Sequence, residues 1–319
     1  MAERVAVLGA GVTGLAVARL FAAEGHDVSV LEAEPTVGGA ARSKRVDGFT
    51  YDITGTHIIY SKDAPVLELM QRLLQMDTIR TERKSKIFYR GRYIKYPFEN
   101  GLGDLPDEDR FDCLKGYVDA HYRRKYEGVP PPENFHDWTY WRFGDGIAGH
   151  FMLPYNQRLW KTELNTLSAG WVAGRVPDAP LDDVVRSALG ISTEGYTHQA
   201  SFYYPRRGGF QALADALAAP VADRIRLSTP VTRVERTGDG FSVNGEPFGR
   251  VVNTIPLPNL VRAYAPAPDA VRDAAGGLRF VSMATFLIGL RTQERTDHSW
   301  VYLPHAENGR VHRVTHLSN

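Results

Sequence analysis

Residues 5–32 read VAVLGAGVTGLAVARLFAAEGHDVSVLE, and this stretch decides the fold. Val5 to Leu8 form a short apolar run of strand character. Gly9, Gly11 and Gly14 follow with the spacing GxGxxG, a helical pattern runs through Ala23, and the stretch from His26 to Glu32 has the composition of a second strand. A glycine triplet of this spacing is weak evidence alone. Placed after a strand, at the start of a helix and ahead of a carboxylate closing the next strand, it is the full dinucleotide-binding context. Gly9 permits the tight turn, Gly11 lets the backbone approach a pyrophosphate at the helix N-terminus, and Gly14 allows the helix to pack closely on the strand. Glu32 accepts hydrogen bonds from a ribose hydroxyl, and its charge repels a 2′-phosphate. The run is apolar enough to resemble a membrane span, but three spaced glycines and Arg19 interrupt it, so strand, turn and helix is the better reading.

The rest of the composition narrows the partners. Lys and Arg total 38 against 37 Asp and Glu, a net charge of +1, which gives no electrostatic case for nucleic acid or an anionic membrane. Any anionic ligand must be met by local charge. Cys113 is the single cysteine, which excludes internal disulfides and a cysteine-based zinc cage and suits a reducing cytoplasm. At 319 residues the chain can fill two lobes.

KIFYRGRYIKYP (86–97) alternates around Arg90 and Gly91 like a β-hairpin. From Leu105 to about Leu189 the pattern is helical and rich in aromatics, broken by the rigid VPPPEN (129–134). GGFQALADALAAPV (208–221) reads as a helix. Residues 225–256 read as several strands joined by Gly-Asp-Gly and Asn-Gly turns, the last of them, Arg250 to Ile255, returning to the parallel sheet. Further strands are expected at 280–290, as a buried strand, and near 311–316. The expected fold is α/β: a Rossmann-like parallel sheet with an inserted, mainly helical substrate lobe and an additional antiparallel sheet. The expected segments are 1–60 for dinucleotide binding, 61–200 for the helical lobe with its hairpin, and 201–319 for the return to the nucleotide-binding domain plus the antiparallel sheet.

After Glu32 comes VGGAARS (37–43), with a second glycine pair that includes Gly39, and Arg42. This combination resembles the extended fingerprint of the FAD-binding amine-oxidase-like flavoproteins, in which the arginine meets the flavin diphosphate region, and it turns the cofactor expectation from NAD to FAD. GTHIIYS (55–61), YPFEN (96–100), FGDGIAGHFMLPYNQRLW (143–160), WVAGRVP (171–177), SFYYPRRGG (201–209) and WVYLPHAENGRVHRVTHLSN (300–319) together resemble the UDP-galactopyranose mutases, especially the eukaryotic type. That family interconverts pyranose and furanose forms of a nucleotide-diphosphate sugar, with a reduced flavin attacking the anomeric carbon as the diphosphate leaves. The resemblance implies that His57 sits beside the flavin ring. It implies that Arg175 and Arg313 meet the diphosphate, and that Tyr302 and Gln199 contact substrate. It also implies that the loop of Tyr96, Phe98, Glu99 and Asn100 holds the base. Thr56 stands where that family has a glycine.

Glu99 departs from the family's glutamine. A carboxylate offers acceptors only, whereas uracil presents an acceptor and a donor; guanine presents two adjacent donors that a carboxylate can receive together. A GDP-sugar is therefore expected over a UDP-sugar. The sequence stops at Asn319, where the family continues into a further flavin-binding element, so several alternatives stay open. They are a flavin-independent mutase, with a divalent metal or no cofactor at all, an FAD-dependent oxidoreductase of the protoporphyrinogen or amine oxidase type, and a non-catalytic nucleotide-binding remnant. Residue by residue there are plainer readings too. His57 can be a satisfied structural histidine, Arg175 a helix cap, and Tyr96 and Phe98 core aromatics. A homo-oligomer is left open.

Overall fold

The structure, a computed structural model, describes residues 2–173, 175–176, 179–193, 200–294 and 296–316. The chain divides into two compact units, Met1–Thr81 with Phe202–Leu290, and Glu82–Ser201 with Arg291–Asn319. Against the expected segments there are two differences. Residues 61–81 belong to the first unit, and the C-terminal stretch from Arg291 joins the second. The second difference has a direct cause: strand Trp300–Tyr302 pairs in parallel with Ser85–Tyr89, and strand Arg313–Thr315 pairs with Trp300–Tyr302.

In the first unit a parallel sheet is ordered Arg250–Asn253, Arg4–Leu8, Asp27–Leu31, Ile225–Arg226. Its two central strands, Arg4–Leu8 and Asp27–Leu31, are buried over all but their first residue because both faces are covered. On one face Val5, Val7, Val28 and Val30 pack with Leu15 and Ala18 of helix Val12–Ala23 and with Leu213, Ala214 and Leu217 of helix Gln211–Ala218. On the other, Ala6, Leu8 and Leu31 meet Val234, Val243 and Phe248. Those three come from the antiparallel strands Val234–Thr237, Gly240–Val243 and Glu246–Phe248, joined at the expected turns. Each large aliphatic side chain so buried contributes about 1.5–3 kcal/mol. The fold is thus α/β, with a parallel sheet and additional antiparallel sheets.

One expected strand of this unit is overturned. Residues 280–290 form no strand and are exposed, with Phe280 at 85%, Phe286 at 80% and Ile288 at 79%. Apolar β-prone composition specifies a strand only where a neighbour supplies ladder partners, and among the described residues this run has none.

The second unit combines the helices Asp107–Tyr126, Phe135–Ile147, Leu153–Trp160 and Leu181–Ala188 with a sheet ordered Arg313–Thr315, Trp300–Tyr302, Ser85–Tyr89, Arg92–Lys95. The hairpin turns at Arg90 and Gly91, both at positive φ (46° and 78°), as a two-residue turn between twisted strands requires. The two longest helices approach with backbone in contact. A Cβ on Gly144 would lie 2.0 Å from Gly116 O, and one on Gly146 would lie 2.4 Å from Asp112 O. Among the described residues no helix is long and apolar enough to cross a membrane.

Candidate functional site

The glycine-rich turn of the first unit has the geometry its spacing implies. Gly9 sits at φ +97°, and a Cβ on Gly14 would meet Gly9 O at 2.0 Å and Thr254 Oγ1 at 2.8 Å, so only glycine lets the helix start this close to the strand. Gly11 is the helix N-cap without a side-chain cap, and no acidic residue occupies the first turn. The second glycine pair lies directly against it. Gly38 N–H donates to Ala10 O at 2.8 Å, Gly11 and Gly38 bridge in parallel, and a Cβ on Gly39 would come within 3.1 Å of Gly11 Cα. Two side-chain-free loops thus meet at an uncapped helix N-terminus. A diphosphate fits there: backbone donors and the helix dipole face it, and no carboxylate in the first turn repels it.

Glu32 is 8% exposed and organises the same loops. Its Oε2 accepts from Ala10 N at 2.6 Å and its Oε1 from Glu34 N at 2.9 Å. Arg42 donates from Nε to Gly39 O at 3.0 Å and from Nη1 to Glu34 Oε2 at 2.9 Å, which holds its guanidinium beside the glycine pair.

His57 lies in this unit with its ring 5.1 Å from that of Phe210. Its Nδ1 is buried and makes no hydrogen bond among the described residues; Asp52 Oδ2, at 3.9 Å, is too far for one. Asp52, 1% exposed, is the hub of the loop. Its Oδ1 accepts from Ser43 Oγ (2.6 Å), Tyr204 OH (3.0 Å) and Phe210 N (3.2 Å), and its Oδ2 accepts from His57 N (3.2 Å). Burial, followed by the charge of Asp52 and the hydrogen bond to it, pushes the Tyr204 phenol well above its ordinary value. Sequence reading assigned Asp52 no part. Its partners lie 5 to 158 residues away, so no local pattern signals it.

The second unit gathers a different set. Tyr96, joined to Pro97 by a cis peptide, stacks on Tyr302 at 4.8 Å, and Tyr302 meets Tyr155 edge-on at 5.4 Å. The Arg83 guanidinium lies over Tyr96 at 5.0 Å and donates from Nη2 to Tyr302 OH at 3.1 Å. Arg313 is opposite Tyr302 in the strand register, and its charge acts on the Tyr155 phenol. Burial, with the neighbouring Tyr302 second, raises that phenol strongly, and Arg313 opposes the rise. Burial and Tyr302 likewise raise Tyr96, opposed by Arg83. The second unit therefore brings Tyr96, Tyr302 and Arg313 of the expected site together, and adds Tyr155 and Arg83. The missed pair carried faint signals: Tyr155 stands in LPYNQRLW, while Arg83 is one of several basic residues in a polar stretch.

The remaining expected residues divide. Phe98 is fully buried, stacked on Phe151 at 5.0 Å and set edge-on to Tyr89 at 5.9 Å, so its ring backs the loop. Asn100 donates from Nδ2 to Thr193 Oγ1 at 2.9 Å, and Lys95 Nζ donates to the Thr193 carbonyl, which ties this loop to residue 193. Glu99 is 4% exposed, and its charge acts on both the Tyr96 and Tyr117 phenols. The buried Arg142 also acts on Tyr117, so carboxylate and guanidinium share that neighbour. Arg175 is exposed in a turn, its N–H donating to Val172 O at 3.0 Å. Gln199 lies outside the described residues. Among the described residues no group of three or more His, Cys, Asp or Glu is arranged to hold a metal ion.

Comparison with known proteins fits the cradle. Residues 12–315 match the flavin containing amine oxidoreductase family. A Mycobacterium tuberculosis protein named flavin-containing monoamine oxidase AofH is 28% identical over 257 residues, covering 76% of this chain and 53% of that protein. The putrescine oxidase of Kocuria rosea is 27% identical over 253 residues, covering 74% and 50%. The chain spans about half the length of these curated relatives. Among solved structures, that of a reduced UDP-galactopyranose mutase superposes with a TM-score of 0.86 at 27% identity, over 99% of this chain and 70% of that one. With 304 consecutive residues matched, this chain belongs to the flavin containing amine oxidoreductase family.

Proposed function

We propose that the protein is a nucleotide-diphosphate-sugar mutase that interconverts pyranose and furanose forms and prefers a GDP-sugar. The observation that carries this reading is the cluster of Tyr96, Tyr302, Tyr155, Arg83 and Arg313 in the second unit. Stacked phenols give a base or sugar ring a flat, half-buried surface, and guanidinium groups supply the donors a diphosphate requires. An amine substrate would be repelled by those cations. The TM-score of 0.86 to the UDP-galactopyranose mutase supports the same reading.

In this proposal FAD is held by Gly9, Gly11, Gly14, Glu32, Gly39 and Arg42, with His57 beside its ring system. Bound flavin would supply an electron-rich centre for reaction at the anomeric carbon. The chain's own groups do the rest. Tyr96 faces the base, and Phe98 and Asn100 fix the loop that presents Glu99. The carboxylate of Glu99 accepts from the two adjacent donors of guanine, in a buried setting where such bonds are strongest. Arg313, with Tyr302 beside it and Arg175 from its exposed turn, neutralises the diphosphate and shields the reacting sugar from water. Gln199 is assigned to the sugar.

The test is conversion of GDP- and UDP-linked hexopyranoses, followed by NMR with the flavin oxidised and with it reduced. Conversion that requires reduction and is faster with GDP supports the proposal. Conversion by a flavin-free preparation, abolished by chelation, would replace it with the metal-dependent mutase. A second reading rests on the names of the curated relatives, both amine oxidases. Peroxide formation from diamines, with neither sugar nucleotide converted, would establish that reading and sink ours.

A further inference from the structure

Helix Asp107–Tyr126 buries Asp109, Cys113, Tyr117 and Ala120 within the second unit and turns its opposite side to solvent. On that side Glu108, Phe111, Lys115, Val118, Tyr122 and Lys125 alternate at spacings of three and four residues, the periodicity of a two-helix seam. Surface stripes are normally polar. Here Phe111 is 64% exposed, Tyr122 54% and Val118 39%, with Tyr126 beside them at 65%. The two terminal turns differ in charge: acidic Asp107, Glu108 and Asp109 in the first, basic Arg123, Arg124 and Lys125 in the last.

We infer that this stripe is a self-docking seam, on which two copies of the chain pair these helices antiparallel about a two-fold axis. The antiparallel register that centres the axis between Gly116 and Tyr117 satisfies every position at once. Glu108 faces Lys125 of the second copy, Phe111 faces Tyr122, and Lys115 faces Val118, each pair occurring twice by symmetry. Lys115 already bonds Asp119 at 2.7 Å, so its charge is balanced where its stem covers Val118. A parallel pairing would instead set Glu108 on Glu108, Lys115 on Lys115 and Lys125 on Lys125. Antiparallel pairing also opposes the two helix dipoles. The aromatic pairs hold the copies together and the terminal charges set direction, because exposed ion pairs alone contribute little. A seam 20 residues long extends about 30 Å.

Analytical ultracentrifugation of the full chain tests the seam. A concentration-dependent dimer is expected at low salt. Phe111→Asp should weaken it about a hundredfold or more through loss of both aromatic pairs, with unchanged far-UV circular dichroism showing that the fold is intact. Glu108→Lys alone and Lys125→Glu alone should each weaken it about tenfold, and the two together should return it to within about threefold of the starting affinity. A chain that is monomeric at every concentration overturns the inference. So does a dimer indifferent to Phe111→Asp, or one that the paired charge reversal fails to restore.

Discussion

Replacing Asp52 by Asn tests whether one buried carboxylate organises the loop that presents His57. The side chain is fully enclosed and accepts four hydrogen bonds, three on Oδ1 and one, from His57 N–H, on Oδ2. Asparagine has the same shape but offers one acceptor oxygen. Its best placement keeps that oxygen on Ser43, Tyr204 and Phe210 and turns the amide donors toward His57 N–H. One charge-assisted bond worth about 1.5–3 kcal/mol is lost and a donor is left facing a donor. The three retained bonds fall toward neutral strength. Relief of the carboxylate's own desolvation offsets part of this, leaving a net cost of about 2–3 kcal/mol. That corresponds to roughly a 30- to 150-fold larger opening constant. Hydrogen exchange read by mass spectrometry should show the change in peptides spanning residues 43–60 and 203–212, with peptides of helix Asp107–Tyr126 as the internal control. Exchange within about threefold of the parent in the loop peptides would refute the reasoning. It would mean that the loop is held by its backbone alone.

Gly14→Ala should cost the first unit more than about 3 kcal/mol, because its Cβ would sit 2.0 Å from Gly9 O, a backbone atom that cannot yield without moving the turn; thermal unfolding followed by far-UV circular dichroism reads this. Glu99→Gln should weaken GDP binding about ten- to a hundredfold in calorimetry while leaving UDP unchanged or tighter, and an unaltered preference removes Glu99 as the base reader. Burial first holds His305, His312 and His316 below the usual histidine value of 6.5; the cations Arg313, Arg158 and Lys161 add to it at His312, whereas the Glu307 charge opposes it at His305. A histidine whose folded value is lowered contributes stability while neutral. The second unit should therefore lose stability as pH falls through about 6.5, where the unfolded chain takes up protons first. All five tryptophans, Trp138, Trp141, Trp160, Trp171 and Trp300, belong to that unit, so a fluorescence melt reports on it, and a melting temperature that rises on acidification contradicts the assignment.

What the sequence determined by itself was whatever depends on near neighbours along the chain. The GxGxxG turn, the hairpin at Arg90 and Gly91 and the return strand at Arg250 carry their own geometric demands, a positive φ, a missing Cβ or an apolar run of strand length, and each appears where its residues predicted. The pairing of Tyr96 with Tyr302 was not legible, because 206 residues separate two phenols that meet only when Trp300–Tyr302 joins the hairpin sheet. The same pairing drew the C-terminal stretch into the second unit. Asp52 gave no sign either, since a polar residue near a glycine loop looks the same whether it faces water or collects four donors. Residues 280–290 mark the opposite failure: their composition announced a strand, but a strand is a property of two chain segments, and only the tertiary structure decides whether the second is present.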